Sequence, residues 1–319
     1  MGKQKSTSAS LSLFGDSSPE LTAPTPKRRN RKAIGLPPGL PLDKYEKDEE
    51  GRLREIVGAW VRDKHAILQN YVGIASAVRN KWVARGPAGT TYIDLFSGPG
   101  RVRIKDTDDV LFGSPLLAWT YSQQRSAAFT NIYVADAHPS LVEDCRVRLE
   151  AEAAPVEFET GRAVDTVDRI IGRLNKYSYH FAFLDPFSLG ALSFGVIQKL
   201  AKLQHIDILI HVSVQDLNRN LRKYINKEGA SLDIFAPGWR DSVDINRSDQ
   251  HVRAKIFEYW GNLLKTIGLP VAEATELISG EKNQPLYWLA FAARNKLAHA
   301  FWDKIRRVQP DVQKQLISG

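Results

Sequence analysis

Two segments of this sequence place a carboxylate where an apolar strand gives way to a turn. In the first, an apolar, β-branched run carries Asp94 and leads into Ser97-Gly98-Pro99-Gly100. Glycines here let a ligand approach the backbone closely, and the proline stiffens the turn between them. In the second, an apolar run ends in Asp185-Pro186-Phe187. Because open α/β sheets bind ligands at the carboxyl ends of their strands, both segments are candidate site residues.

Two further acids follow predicted strands and suit a nucleoside-like ligand. Asp136 ends the second strand, where a carboxylate can accept hydrogen bonds from both ribose hydroxyls. Its alternative role is a helix N-cap or a solvated strand end. Asp165 follows the third strand, where a polar side chain can meet an adenine amine, or it caps the next helix.

The elements that must position these acids alternate along the chain. The sequence predicts five strands, at 92–96, 132–136, 156–159, 179–185 and 206–214. Helices are predicted between and after them, at 114–121 (with Ser114 as N-cap), 140–153, 165–174, 194–203 and 252–264. Two strand-like runs, 271–278 and 286–291, form a hairpin signal, and a helix over 296–308 follows. Strands alternating with helices predict an α/β fold with a parallel sheet.

The remaining segments define the predicted domain organisation. Residues 1–36 are predicted to be a disordered basic leader, and 37–89 an N-terminal helical cap with helices over 43–85. The α/β domain is predicted over 90–310, with an insertion at about 217–249. Residues 101–109 read as a polar insertion after the glycine turn, which we interpret as a lid.

The charge of the chain favours a polyanionic partner. The formal net charge is +8, from 44 Lys and Arg against 36 Asp and Glu. Basic residues concentrate in the leader, at 27–32, and in the 217–249 insertion, which carries Arg219, Arg222, Lys223 and Arg240. The functional interpretation is a nucleic-acid-binding arm and substrate-facing surface, and the alternative is a solvated tail and a solvated helix-loop. With 1 cysteine, no apolar run of membrane-spanning length and no secretory signal, we expect a cytoplasmic protein without membrane contact or disulfide.

Several chemistries fit the sequence poorly. A dinucleotide fingerprint needs a third glycine where Arg103 stands, and no Gly-Lys-Ser/Thr of a P-loop follows the turn. The histidines show no metal-ligand spacing, so no metal site is expected. Cys145 lies in a predicted helix between Asp144 and Arg146, which argues against a cysteine nucleophile.

The two opening segments together resemble motifs I and IV of class I S-adenosylmethionine-dependent methyltransferases. The resemblance implies a Rossmann-like sheet, mostly parallel, with a C-terminal antiparallel hairpin. It implies cofactor contacts at Asp94, Phe96, Ser97, Gly98, Pro99, Gly100, Asp136, Ala137 and Asp165. Asp185, Pro186 and Phe187 would be catalytic, orienting an amine towards the methyl group and stacking on a base. Arg101, Arg219, Arg222 and Lys223 are the candidate substrate-binding residues.

The combined pattern is similar to the three-Cys-motif partner protein (TcmP) family. The matching residues, within about 40–308, are Trp60, Lys64, Leu68 and Tyr71, then 92–101, 113–116, 184–187 and 286–289. The resemblance implies S-adenosylmethionine as cofactor and methyl transfer to a nitrogen, which we expect to belong to an RNA or DNA base. The alternative it implies is a non-catalytic or conditionally active partner subunit of a three-cysteine protein of the radical S-adenosylmethionine type.

Overall fold

The computed structural model describes residues 36–41, 43–273, 275–280 and 285–306. Apart from Leu36, the predicted basic leader lies outside the described residues, as does the end of the predicted helix over 296–308. No helix in the described ranges is both long and apolar enough to cross a membrane.

Strands and helices alternate through most of the described chain. The strands are β1 (Tyr45–Lys47), β2 (Leu53–Val57), β3 (Thr90–Asp94), β4 (Arg101–Ile104), β5 (Val110–Phe112), β6 (Asn131–Asp136), β7 (Val156–Thr160), β8 (Tyr179–Leu184), β9 (Ile206–Ser213), β10 (Glu276–Ser279) and β11 (Pro285–Ala293). The helices are α1 (Val61–Ile74), α2 (Ser76–Ala84), α3 (Ser114–Gln124), α4 (Pro139–Ala151), α5 (Ala163–Arg173), α6 (Phe194–Leu200), α7 (Val214–Asn226), α8 (Ser231–Phe235), α9 (Trp239–Ser242), α10 (Asp249–Thr266) and α11 (Lys296–Ile305).

Seven of these strands form the central sheet. Their order across the sheet is β10-β11-β9-β8-β3-β6-β7. Strands β7, β6, β3, β8 and β9 pair in parallel, whereas β11 is antiparallel to both β9 and β10. This order, with one antiparallel strand inserted next to the edge, confirms the predicted Rossmann-like class I methyltransferase sheet and its C-terminal hairpin.

Both faces of this sheet are covered, because successive side chains of a strand point to opposite faces. Ile93, Ala182 and Ile208 contribute to one core, to which α5, α6, α7 and α10 also contribute. Tyr92, Phe181 and Leu209, one position away, contribute to the other core together with α1, α3, α4 and α11. Strands buried on both faces explain the near-continuous apolar runs in the sequence.

The prediction of helices over 43–85 is correct only from residue 61 onwards. The apolar face of α1 packs on the sheet through Leu68, Tyr71 and Val72, as predicted. Before it, residues 45–47 and 53–57 are strands, in a segment where we predicted helix. They pair with each other, and β2 also pairs with β4, far along the chain. Local helical propensity does not report such a contact.

The interpretation of residues 101–109 as a polar insertion is wrong. Here β4 pairs in parallel with β2 and antiparallel with β5, completing a four-stranded sheet of order β1-β2-β4-β5. Val102 and Ile104 are buried with Val61 in a small core of their own. Arg103, the intervening residue, donates to Glu46 of β1. The alternation of basic and apolar residues is the strand signal that the charge content obscured.

The structure also differs from the sequence prediction at the start of α3 and in the last hairpin. Gly113 is the N-cap of α3, and Ser114, predicted to be the cap, is its first helical residue. The predicted strand over 271–278 is regular only at β10, with a single bridge from Val271 to Ala292 before it. Within the 217–249 insertion, α7 contributes Leu217 and Leu221 to the core, α8 contributes Leu232, and α9 contributes Trp239.

Candidate active site at the carboxyl edge of the sheet

A cavity of about 320 Å³ opens where the parallel strands end. It is lined by the glycine turn after β3, by β2 and the start of α1, by the segment after β8, and by the ends of β9 and β11. Its size lies within the range of about 300–1,000 Å³ that is usual for small-molecule sites. The sheet therefore brings the two segments that the sequence singled out to one cavity.

The glycine turn is built from backbone hydrogen bonds and two left-handed glycines. Gly98 and Gly100 have φ values of 55° and 79°, which cost other residues energy. The backbone N–H of Ser97 donates to the carbonyl of Ala135 on β6 at 3.0 Å. A Cβ on Gly100 would lie 2.7 Å from Leu116 of α3, so this glycine also allows close packing of the helix.

Asp94, at the end of β3, holds this turn through hydrogen bonds. Its carboxylate accepts from the Phe96 backbone N–H (3.0 Å), the Ser114 hydroxyl (2.7 Å) and the Tyr92 hydroxyl (3.1 Å). Burial raises its pKa to about 7, against the opposing effect of these hydrogen bonds. Because Asp94 has no exposed surface, the structure gives it a role in holding the turn; its contact with a cofactor stays a prediction.

Asp136 joins the end of β6 to the glycine turn. One carboxylate oxygen accepts from the Gly98 backbone N–H at 3.1 Å, and the other accepts from the His138 backbone N–H at 3.0 Å. Each oxygen keeps a further lone pair for a ligand. Ala137 is exposed next to it. Asp165 is exposed in the first turn of α5, pairs with Arg162 at 2.9 Å, and does not line the cavity.

Glu55 of β2 adds an acid that the sequence did not single out. The nearest atom to a Cβ placed on Gly98 is a carboxylate oxygen of Glu55, at 3.8 Å. Burial raises the pKa of Glu55 to about 7, Lys64 opposes this shift, and Asp185 and Asp136 add to it. A half-buried carboxylate next to a glycine turn is suited to receive a cationic group.

Asp185 is the centre of a second cluster, with one partner on each carboxylate oxygen. The Lys64 ammonium of α1 donates to Oδ2, and Nδ1 of His211, on β9, lies 2.6 Å from Oδ1. Burial would raise the pKa of Asp185, but Lys64 and His211 together hold it well below its usual value. Burial lowers the pKa of His211, with Asp185 opposing this shift. These directions favour an ionised Asp185 and a neutral His211 at neutral pH.

Aromatic side chains complete the walls of the cavity. Tyr287 of β11 packs edge-on against His211, with ring centroids 4.2 Å apart, and against Trp60 at 5.4 Å. Lys64 lies over the Trp60 ring, 5.0 Å from its centroid. Pro186 is buried, whereas Phe187 is 81% exposed. Phe187 is therefore accessible to a ligand, whereas Pro186 lies in the interior after β8.

The predicted substrate-binding residues lie outside this cavity. Arg101 begins β4 next to the glycine turn, and Arg219, Arg222 and Lys223 lie on the exposed side of α7. Arg222 forms an ion pair with Asp249. Arg240, predicted to be a nucleic-acid contact, instead donates to the carbonyls of Tyr224, Ile225 and Lys227 and to Asp233. These bonds cap the end of α7, so Arg240 has a structural role.

Cysteine and metal chemistry find no support in the described part of the chain. Cys145 is fully buried in α4, and burial raises the pKa of its thiol, which disfavours a nucleophilic thiolate. No group of three or more His, Cys, Asp or Glu residues in the described ranges is arranged to hold a metal ion.

Sequence reasoning missed Glu55 and His211 as site residues and assigned no role to Lys64. A signal for Lys64 was present, because it interrupts the apolar face that Leu68 and Tyr71 continue. His211 likewise interrupts the apolar run of β9. A polar residue on a buried face needs a partner, and here the partner is Asp185.

Comparison with known proteins gives a likeness of fold alone. No protein-family model matches the chain, and no curated protein matches it. Among solved structures, an O-methyltransferase from Bacillus cereus in complex with SAH is 13% identical over 72% of this chain and 81% of its own, with a TM-score of 0.41. Cofactor-bound Rv0187 from MTB is 14% identical over 75% and 82%, with a TM-score of 0.41. Magnesium protoporphyrin IX methyltransferase (ChlM) from Synechocystis PCC 6803 with bound SAM is 16% identical over 70% and 79%, with a TM-score of 0.32.

At these identities and TM-scores the likeness says nothing about the reaction or substrate of this chain. The resemblance to the three-Cys-motif partner proteins likewise stays a prediction. The assignment of function must therefore rest on the geometry of the cavity.

Proposed function

We propose that this protein is an S-adenosylmethionine-dependent methyltransferase that methylates a nitrogen of a nucleic-acid base. The observation that carries the proposal is the bond between the Gly98 N–H and Asp136, beside the cavity that holds Asp185. It places an amide-rich turn, a candidate ribose acceptor and a candidate reaction centre at one edge of the sheet.

The residues present fit this cofactor. The backbone of Ser97–Gly100 leaves room for its amino-acid moiety, Glu55 suits the ammonium group, and Asp136 suits the ribose hydroxyls. S-adenosylmethionine supplies a methyl group bound to a positively charged sulfur. This chain's residues would hold the acceptor in line with that methyl group and keep water away, which are the main sources of acceleration in such a transfer.

Two observations support a nucleic-acid base as the methyl acceptor: an exposed aromatic ring at the cavity and basic side chains on the surface nearby. Phe187 is 81% exposed at the rim of the cavity, and an exposed ring there can stack on a base taken out of its helix. Arg219 and Lys223 are exposed on α7, which begins at the same edge of the sheet as the cavity. Cationic side chains near the entrance favour a phosphate backbone.

Calorimetry of the full chain with S-adenosylmethionine and S-adenosylhomocysteine tests whether the protein binds this cofactor. We expect binding that Asp136→Ala weakens at least tenfold, because the ribose acceptor is lost. Asp168→Ala, an exposed acid of α5 that pairs with Lys199, is the matched control and should bind as the unaltered protein does. Absence of binding of either ligand at millimolar concentration would overturn the proposal.

Methyl transfer tests the acceptor. The protein would be incubated with methyl-labelled cofactor and separate pools of tRNA, rRNA, DNA and protein. Label in a nucleic-acid pool supports the proposal, and label only in the protein pool contradicts it. Cofactor binding without transfer to any pool would favour the alternative of a partner subunit that needs its three-cysteine protein.

A further inference from the structure

The predicted role of Asp185 was to accept hydrogen bonds from an amine of the substrate. In the structure both of its carboxylate oxygens already have partners, Lys64 on Oδ2 and His211 on Oδ1. The group of this cluster that remains available to a substrate is the imidazole of His211.

His211 is arranged as a base that a carboxylate orients. Its Nδ1 is buried and lies 2.6 Å from Asp185 Oδ1, a close polar contact that lacks the alignment of a hydrogen bond, while its side chain lines the cavity with 10% of its surface exposed. Within the described ranges, the contact with Asp185 is what distinguishes Nδ1 from Nε2. When one ring nitrogen donates to a carboxylate, the other carries the lone pair. Tyr287, packed edge-on at 4.2 Å, restrains the plane of the ring.

We propose that His211 is the general base of the transfer, positioned by Asp185, and that the acceptor is a lactam-type ring N–H of a nucleic-acid base. This inference rests on the proposed function and names its substrate class. An exocyclic amine transfers its lone pair without first losing a proton, so it has no need of a base at this position. The ring N–H of a guanine or a uracil must lose its proton for the nitrogen to become nucleophilic.

The proton and electron balance of the step is complete. Nε2 of His211 takes the proton from the ring N–H, and the nitrogen lone pair forms the new bond to the methyl carbon. The carbon–sulfur bond breaks, and its electron pair stays on sulfur as S-adenosylhomocysteine leaves. The imidazolium is stabilised by Asp185 until it releases its proton to water. Lys64 keeps Asp185 ionised throughout and is a positioning residue.

The role of His211 as general base can be tested without substrate, by measuring which of its ring nitrogens carries the proton. Nitrogen NMR of the full chain labelled at histidine, with His211 assigned from the His211→Gln variant, reports which ring nitrogen carries the proton. We expect a neutral ring protonated at Nδ1 at pH 7.5, and a loss of that preference in Asp185→Ala. An imidazolium, or a ring protonated at Nε2, would overturn the inference whether or not the protein binds the cofactor.

The position of the transferred methyl group tests the acceptor. Unmodified transcribed RNA would be incubated with methyl-labelled cofactor, digested to nucleosides and separated. Label on a guanine or uracil ring nitrogen supports the inference, whereas label on an exocyclic amine overturns it and leaves the methyltransferase proposal standing.

Transfer rates of histidine variants distinguish a general base from a histidine with a purely structural role. His211→Gln should slow single-turnover transfer by about 10²-fold or more, as expected for a lost general base, with cofactor affinity unchanged. His205→Gln, at the opposite end of β9, is the matched control and should transfer at the rate of the unaltered protein. An equal loss in both variants, or a parallel loss of thermal stability in His211→Gln, would contradict the assignment.

Discussion

Each titratable residue of the cavity acquires its properties from a neighbour that lies far away in the sequence. Lys64 and Asp185 are 121 positions apart and share a hydrogen bond. Lys64 lowers the pKa of Asp185 and also that of His211. Lys64 therefore favours the ionised form of Asp185, and it adds to the larger effect of burial that favours the neutral form of His211.

Replacing Lys64 should change the pH dependence of transfer. In Lys64→Met the positive charge near His211 is lost, so its imidazolium forms more easily and its pKa rises. The transfer rate, which needs neutral His211, should then reach its plateau at higher pH. The other ionisable groups around the ring are Asp185, Tyr287 and Glu55, and the variant also removes the positive charge that lowers the pKa of Asp185 and of Glu55.

Single-turnover rates between pH 5 and 9 at saturating cofactor measure this shift. Lys199→Met, at an exposed lysine of α6 that pairs with Asp168, is the control and should keep the profile of the unaltered protein. If the pH dependence of the transfer rate in Lys64→Met is unchanged or moves to lower pH, Lys64 does not lower the pKa of the catalytic base.

Because the pKa of Glu55 is raised, we expect cofactor binding to depend on pH. Its pKa is raised to about 7, so the carboxyl group is increasingly protonated as the pH falls below 7. Only the carboxylate can pair with an ammonium group. The dissociation constant should therefore increase up to about tenfold per pH unit below 7, and Glu55→Gln should bind weakly with little change over this range.

Calorimetry between pH 5.5 and 8 checks this expectation. Glu49→Gln, at a residue whose side chain is 79% exposed, should retain the pH dependence. A Glu55→Gln variant that binds as tightly as the unaltered protein at pH 8 would exclude an ionic role for Glu55.

Phe187 should affect the acceptor and leave the fold intact. Because its ring is 81% exposed, Phe187→Ala removes little buried surface, and the melting temperature should not change measurably. Loss of a stacked base should weaken RNA binding by about 1–3 kcal/mol. Tyr177→Ala, which removes a ring that is 63% exposed before β8, is the control for RNA binding and melting. Unchanged RNA affinity in Phe187→Ala would remove the stacking role.

At the scale of elements, close contact between the glycine turn and α3 positions the cavity. The Gly113 N–H donates to the Gly100 carbonyl at 2.8 Å. A Cβ on Gly113 would lie 3.0–3.1 Å from the backbone of Gly100. Since backbone atoms cannot turn aside as a side chain can, any side chain at position 113 must displace the turn.

Gly113→Ala should therefore destabilise the protein by about 1–3 kcal/mol through overpacking and weaken cofactor binding. Gly172→Ala is the matched comparison, because Gly172 lies within α5 and a Cβ there meets no atom within 4 Å. Alanine at this helical position should stabilise the protein by about 0.5–1 kcal/mol. Urea unfolding measures both changes, and equal effects of the two substitutions would contradict the packing argument.

At the scale of the whole molecule, the charge of the chain predicts how nucleic acid binds. Arg219, Arg222 and Lys223 form an exposed basic face on α7, whereas Arg240 is occupied in capping that helix. Replacing Arg219 and Lys223 with glutamine should reduce the salt dependence of RNA binding by about one unit of slope for each lost phosphate contact. Deleting residues 1–35, which carry the basic run, should reduce it further.

Binding measured over a series of salt concentrations distinguishes these contributions. Lys176→Gln and Lys202→Gln, at exposed lysines before β8 and β9, remove the same charge from the opposite edge of the sheet. Equal slopes for the α7 variant and this control would show that the α7 face makes no specific phosphate contact.

The sequence by itself determined the order of the parallel strands of the central sheet, the helices between them and one edge of the site. Hydrophobic periodicity is a local property, so the alternation that leads to the central sheet could be read directly. Asp94, Asp136 and Asp185 end three neighbouring parallel strands, and the carboxyl ends of such strands lie at the same edge. The glycine turn could be located because its conformation depends on residue type.

Only the tertiary structure decided which side chains complete the site. The four-stranded sheet joins β2 to β4 across two intervening helices, and that pairing carries Glu55 to Gly98. The packing of α1 on the sheet brings Lys64 to Asp185, and the alternation of β9 directs His211 to the same carboxylate. These contacts depend on register and on how elements pack. The interrupted apolar faces at Lys64 and His211 mark polar residues that need partners. No local pattern encodes which partners they find, because free energy from burial and pairing is shared among residues that are distant along the chain.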